Sequence, residues 1–194
     1  MAATPSTMRQ LGSQLPAFEL TDTRSVNFAA GGGGGEKVTD AYLRGRGPAV
    51  VAFICNHCPF VVHIRSGLVE FGRYCQEARV PFVAISSNDV TSHPQDGPGP
   101  MAAEAKKYGF TFPYLHDDTQ DVARAFDAAC TPDFYVFDGD GKLAYRGQFD
   151  AARPSNSVPV TGSDLRSAVQ SLLAGKAPSS DQKPSIGCSI KWKK

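Results

Sequence analysis

With 194 residues, 41% of them hydrophobic, the chain has enough apolar material for one sizeable core. Its 20 Lys plus Arg against 19 Asp plus Glu leave a formal charge of +1, which excludes a global field drawing it to nucleic acid or to an anionic membrane surface. Neither an 18-residue apolar run nor an apolar signal core near the N-terminus occurs, so the expectation is a soluble, cytoplasmic, single-domain protein whose five cysteines do not form a disulfide framework.

In chain order, FELTDTRSVNF (18–28) predicts a small hairpin, and the run GGGGG (31–35) predicts a flexible loop, because glycine has no side chain to pack. A phosphate cradle there would need a preceding strand and a following helix that starts with Lys-Ser or Lys-Thr, and neither is present. PAVVAFIC (48–55) is apolar throughout and predicts a buried central strand. Beyond it, Val61, Ile64, Leu68, Phe71 and Cys75 recur at three and four, which predicts a helix with one buried stripe whose first turn takes in Cys55 to Cys58. VPFVAISS is a second strand. NDVTSHPQDGPG is a loop whose prolines and glycines forbid regular structure, and its His93, like His116 further on, is expected to be solvated.

MAAEAKKYG is a short helix closed by Gly109, and FTFPYLHDD contains a brief strand. TQDVARAFDAA is a helix capped by Thr119 or Asp118, and DFYVFDGDGKLAYRGQ is a hairpin about Asp-Gly turn chemistry. TGSDLRSAVQSLLAG is a helix capped by Thr161 or Ser163 and closed at Gly175. In the tail, Ile186, Cys188, Ile190 and Trp192 alternate with Gly187, Ser189, Lys191 and Lys193, which is the period of a strand with one apolar face. Such a face predicts that the tail folds back onto the body with Cys188 inward, where an anchor role and a redox role both stay open. The domain therefore divides into an N-terminal extension (13–47), a core (48–175) and a docked tail (176–194).

The chemistry concentrates in CNHCP (55–59). At the start of a helix Cys55 would face unpaired amides and the positive dipole end, and with a cationic His57 beside it the thiolate is favoured. Pro59 suits a first turn, where its missing N–H has no helical partner anyway. Cysteines at i and i+3 close a disulfide with modest adjustment. A structural zinc site wants four ligands, while His63, Cys75, Cys130 and Cys188 are singletons and a helix carries His63 away from both cysteines. A redox dithiol is the leading reading, with metal binding as an alternative; Cys75 is expected to be inert packing.

With CNHCP, the stretches SSND (86–89), FPYLHDDTQDVARAF (112–126), CTPDFYVFD (130–138) and GCSIKWK (187–193) make the chain resemble the thioredoxin superfamily, in its redoxin branch of peroxiredoxin-like proteins grouped with alkyl hydroperoxide reductase and thiol-specific antioxidant proteins. The resemblance covers residue 13 to the C-terminus. It implies an α/β thioredoxin-like fold, a central mixed sheet flanked by helices on both faces, with an N-terminal β-hairpin. It further implies Cys55 as attacking thiolate, Cys58 as resolving thiol, and Thr131 followed by a cis Pro132 facing the pair. His57 occupies the dipeptide position where the oxidant DsbA has its histidine, which would make the disulfide more oxidising.

Two family features are replaced. Ala49 stands where thioredoxins carry a buried Asp, and Ala52 stands where peroxiredoxins carry the Thr that holds peroxide. A methyl group cannot hydrogen-bond a peroxide. The resemblance thus implies a thiol-disulfide oxidoreductase acting on protein or small-molecule disulfides and thiols, with a peroxidase using Cys55 as the alternative and a metal-handling protein as a third option. No cofactor beyond the Cys55–Cys58 disulfide and no metal is expected. Cys130, near Pro132, and Cys188 are the two candidates for a third thiol.

Overall fold

A strand that is apolar at every position needs cover on both faces, and Ala49–Phe53 is such a strand. The computed structural model describes residues 3–26, 35–45 and 47–194. Its strands are β1 (Thr4–Pro5), β2 (Glu19–Asp22), β3 (Lys37–Thr39), β4 (Ala49–Phe53), β5 (Phe82–Ser86), β6 (Tyr114–His116), β7 (Cys130–Thr131), β8 (Asp133–Phe137), β9 (Leu143–Gly147) and β10 (Ile186–Ser189). The helices are α1 (Pro59–Glu77), α2 (Pro98–Tyr108), α3 (Asp121–Ala125) and α4 (Ser163–Leu173).

Seven strands form one mixed sheet in the order β3-β2-β6-β5-β4-β8-β9, with β4, β5 and β6 parallel and the other pairs antiparallel. Strand alternation divides the core. Val50, Ala52, Ala84, Phe134 and Val136 join α1, α2 and α4 on one side, while Val51, Phe53, Val83, Ile85, Tyr135 and Phe137 join α3 and the N-terminal segment on the other. The parallel crossovers β4-α1-β5 and β5-α2-β6 account for two helices lying on the same side. This is the α/β thioredoxin-like fold, with helices on both faces of a mixed sheet. No helix among the described residues is long and apolar enough to cross a membrane.

Several boundaries differ from the sequence reading, each for a local reason. The N-terminal hairpin does not close within residues 18–28. Thr23–Ser25 is a 3-10 turn capped by Asp22, and the partner of β2 is β3, on the far side of the glycine run. Apart from Gly35, that run lies outside the described residues. The loop after β5 holds a 3-10 turn at Pro94–Asp96, and α2 starts at Pro98 rather than at Met101, because prolines in a first turn forfeit no hydrogen bond. Gly109 closes α2 in the left-handed conformation, as expected.

Thr119 and Thr161, among the expected caps, accept from the first helical amides of α3 and α4, those of Asp121 and Ser163, and carboxylates add to them. Asp117 accepts from the amides of Val122 and Ala123, and Asp150 accepts from those of Thr161 and Gly162. Gln120 and Gly162, both left-handed, are the cap residues themselves.

The tail docks. β10 lies between β1 and β7 in a second, three-stranded sheet, with Cys188 and Ile190 buried. Ile186 and Trp192 stay 38% exposed, contrary to the expectation of four inward residues. Trp192 is covered by the Arg124 guanidinium, 4.6 Å from its ring centre. Asn88 and Gln120 hold the tail backbone at Lys191 and Lys193.

Behind Pro132, the fully buried Asp133 and Arg146 pair at 3.0 Å, and Ser6 and Tyr135 also donate to the Asp133 carboxylate. Burial raises the Asp133 pKa against the pull of Arg146. Arg146→Met should leave that carboxylate uncompensated and cost about 3–5 kcal/mol in urea unfolding, while replacing both partners by apolar residues recovers most of the loss. A single variant with the wild-type midpoint would show that the pair carries no such weight.

Candidate active site

Proline sets where α1 begins. Pro59 occupies N1 and Cys58 is the N-cap, so the helix starts after the cysteine pair rather than around it. Cys55, Asn56 and His57 form the link from β4. The first-turn amides and the dipole therefore act on Cys58, and the sequence expectation that they activate Cys55 is corrected.

Both sulfurs are closed in, with Cys55 at 1% and Cys58 at 0% exposure. The peptide bond between Thr131 and Pro132 is cis, as the resemblance implies. Thr131 touches both cysteines. Its Oγ1 is 3.4 Å from Cys55 Sγ, and its carbonyl oxygen lies 3.0 Å from Cys58 Sγ, within reach of that thiol when it is protonated. A third sulfur is present, since Cys188 Sγ stands 3.0 Å from Cys58 Sγ. Cys130 does not join them. It faces the carbonyl oxygen of Pro132 at 3.7 Å, and burial pushes its pKa up. Cys75 is buried on the α1 stripe and pushed up to about 12 by desolvation.

The paired thiols titrate as a unit. Charge on Cys58 is held by a hydrogen bond from the Cys55 thiol, then, against the cost of burial, by the Cys188 thiol and the amides of Val61 and Cys188, which together bring it down to about 5. Cys55 is pushed well up because its proton serves Cys58, because it is buried, and because the Asp96 carboxylate is near. Cys188 is pushed up to about 12 by burial, and then by its bond to Cys58 and the charge there.

Asp96 is the residue that sequence reasoning missed. It lies in a stretch taken for an unstructured loop, and only folding brings it to the dithiol. Fully buried, it accepts from the amides of Asn56 (2.9 Å) and His57 (3.3 Å), from Asn88 Nδ2 (2.8 Å), and pairs with His57 Nδ1 (2.6 Å). At that distance from a carboxylate, His57 Nδ1 carries a proton, and the negative charge beside the imidazole offsets the effect on Cys55 expected of a cationic His57. Neither of the other two loop histidines is simply solvated. His93 stacks on His57 with ring centres 4.9 Å apart, and desolvation followed by the charge of His57 lowers its pKa. His116 is half-buried in β6, and desolvation lowers it too.

Donor atoms of Cys55, His57 and Asp96 lie within 4.8 Å of one another. As a metal set they are three rather than four, with His57 Nδ1 committed to Asp96 and Cys58 turned toward Thr131 and Cys188.

Residues 11–146 match the AhpC/TSA family. The chain belongs to that family. It is a thioredoxin-like redoxin, a redox enzyme whose chemistry is thiol-based, and membership implies thiol or peroxide substrates. This AhpC/TSA chain is similar over its whole length to an uncharacterized conserved protein of Geobacillus kaustophilus, at 48% identity and a TM-score of 0.93, covering 97% of that chain. A hypothetical protein of Sinorhizobium meliloti 1021 is 44% identical, with a TM-score of 0.91 and 98% of each chain covered. A secreted disulfide oxidoreductase of Mycobacterium tuberculosis shares the fold at 21% identity and a TM-score of 0.55, over 76% of this chain and 90% of that one. No curated protein matches the sequence.

Two measurements check these electrostatics. Ultraviolet absorbance of the reduced protein should show one thiolate appearing with a midpoint of about 5, absent in Cys58→Ser; a first rise only near the free-cysteine value of about 8.5 would contradict the shared-proton pair. Asp96→Asn removes a charge that opposes ionisation of Cys55, so the second thiolate step should move to lower pH. An unmoved step would mean that the carboxylate only positions the loop.

Proposed function

We propose that the protein is a thiol-disulfide oxidoreductase working through Cys55 and Cys58. The observation that carries this reading is the position of Thr131, which touches one sulfur with its hydroxyl and the other with its carbonyl oxygen. Two thiols held against one residue are set for a bond to each other.

The cycle starts from the proton that the pair shares. When it passes from Cys55 to Cys58, Cys55 attacks a substrate disulfide as thiolate, forming a mixed disulfide and releasing one substrate thiolate, which takes that proton from Cys58. Cys58 then attacks the Cys55 sulfur, closing the internal disulfide and expelling the second substrate thiolate. Substrate gains two electrons and the dithiol loses two. In the mixed disulfide Cys55 no longer donates to Cys58, and the Cys188 thiol with the amides of Val61 and Cys188 remains to hold charge on the resolving sulfur, where a carboxylate is missing at Ala49.

Peroxide reduction is the second reading, favoured by family membership and by the Thr131 hydroxyl, which stands 3.4 Å from Cys55 although residue 52 is alanine. Reduced protein mixed with equal concentrations of oxidised glutathione and hydrogen peroxide discriminates between them. Exchange predicts that Cys58→Ser accumulates a glutathione adduct on Cys55. Sulfenic acid on Cys55 with no adduct would make the protein a peroxidase instead, and an adduct on Cys58 would reverse the roles.

A further inference from the structure

We propose that Cys188 is a third redox thiol, which moves the internal disulfide from Cys55–Cys58 to Cys58–Cys188 and returns Cys55 to its thiolate form. This extends the exchange reading above and rests on it. The step is an isomerisation that needs no outside oxidant or reductant. Cys188, giving up its proton, attacks Cys58 Sγ; the Cys58–Cys188 bond forms, the Cys55–Cys58 bond breaks, and Cys55 leaves as thiolate able to accept the proton that Cys188 released. One disulfide and one thiol stand on each side of the step.

Three observations place Cys188 for this. The first is distance. Its Sγ is 3.0 Å from that of Cys58, so bonding at about 2.05 Å needs a shift of about 1 Å. The second is register. β10 pairs with β7 so that Cys188 is opposite Thr131 and Ser189 is opposite Cys130. Directly paired residues share a face and neighbours along a strand do not, so Cys188 faces the dithiol with Thr131, whereas Cys130 is set on the other face.

The third is the approach of the tail itself. A Cβ on Gly187 would stand 1.9 Å from the carbonyl oxygen of Thr131 and 2.5 Å from its carbonyl carbon. Only glycine lets β10 come this close to the segment that grips both catalytic sulfurs. Plain packing of a small apolar residue would not require it.

The resting state is consistent with a thiol held in reserve. In the dithiol, Cys188 is kept protonated first by burial and then by its bond to Cys58 and the charge there; the bond and the charge, though not the burial, disappear once Cys58 is oxidised.

The test uses the full-length reduced protein and one equivalent of diamide, quenched in acid, digested with trypsin and read by mass spectrometry. Wild type should give the internal Cys55–Cys58 disulfide together with a cross-link between the Cys58 peptide and the Cys188 peptide. Cys55→Ser should give that cross-link as its only disulfide. Gly187→Ala, which pushes β10 from Thr131, should lose the cross-link while keeping Cys55–Cys58, as should Cys188→Ser.

If Cys55→Ser yields no cross-link while wild type forms Cys55–Cys58, the third-thiol proposal is wrong and the exchange reading stands. A cross-link without any Cys55–Cys58 bond supports the contact while overturning the cycle proposed above. Absence of both overturns both.

Discussion

The pairing of β10 with β7 is the contact on which the site depends. It brings together a strand from the C-terminal end of the chain, the Thr131–Pro132 segment and the start of α1, and it is possible because Gly187 presents no Cβ to the Thr131 carbonyl. β1 adds its own pairing with β10, so the N-terminal segment also buttresses the tail. The N-terminal segment therefore bears on the dithiol through backbone hydrogen bonds to the tail, and the tail adds the Cys188 side chain to its own backbone pairing.

Around this contact the charges settle unevenly. α1 begins at Pro59, and so its first-turn amides serve the second cysteine of the motif. The first cysteine, meanwhile, shares its surroundings with a buried carboxylate. Asp96 has four donors to satisfy it, enough to keep a fully buried carboxylate in place without a cationic lysine or arginine. It also ties His57 to the loop after β5, and His93 then stacks on His57. His57 stands 3.8 Å from Cys55, and both cysteines are almost wholly shielded from solvent. A substrate reacting at Cys55, as proposed, would have to displace part of its cover.

Much of the fold was legible because it follows from period and composition. The all-apolar strand at Ala49–Phe53, the stripe from Val61 to Cys75, the Asp-Gly hairpin turn and Gly109 at its cap are local signals. The differences arise where a residue further along the chain adds to or replaces a local one. Asp117 and Asp150 support the starts of α3 and α4 beside the expected Thr119 and Thr161, and β2 finds its partner across the glycine run rather than beside it. The prolines at 94 and 98 read as breakers in the sequence, although in a first turn they forfeit nothing.

By itself the sequence determined the cysteine pair, its Pro59 and the strand and helix around them, because these depend on residues adjacent in the chain or on a period that survives without tertiary context; the place of Thr131–Pro132 opposite the pair and the thioredoxin-like fold were implied by the resemblance to redoxins. It also determined that the tail has an apolar side needing cover. Only the tertiary structure decided which thiol takes the helix amides, that Asp96 pairs with His57 while His93 stacks on it, and that Cys188 rather than Cys130 stands beside Cys58. The reason is geometric. Strand register and the angle at which a helix leaves a proline are set by packing between segments far apart in sequence. A one-residue change in either turns a sulfur from the dithiol to the opposite face.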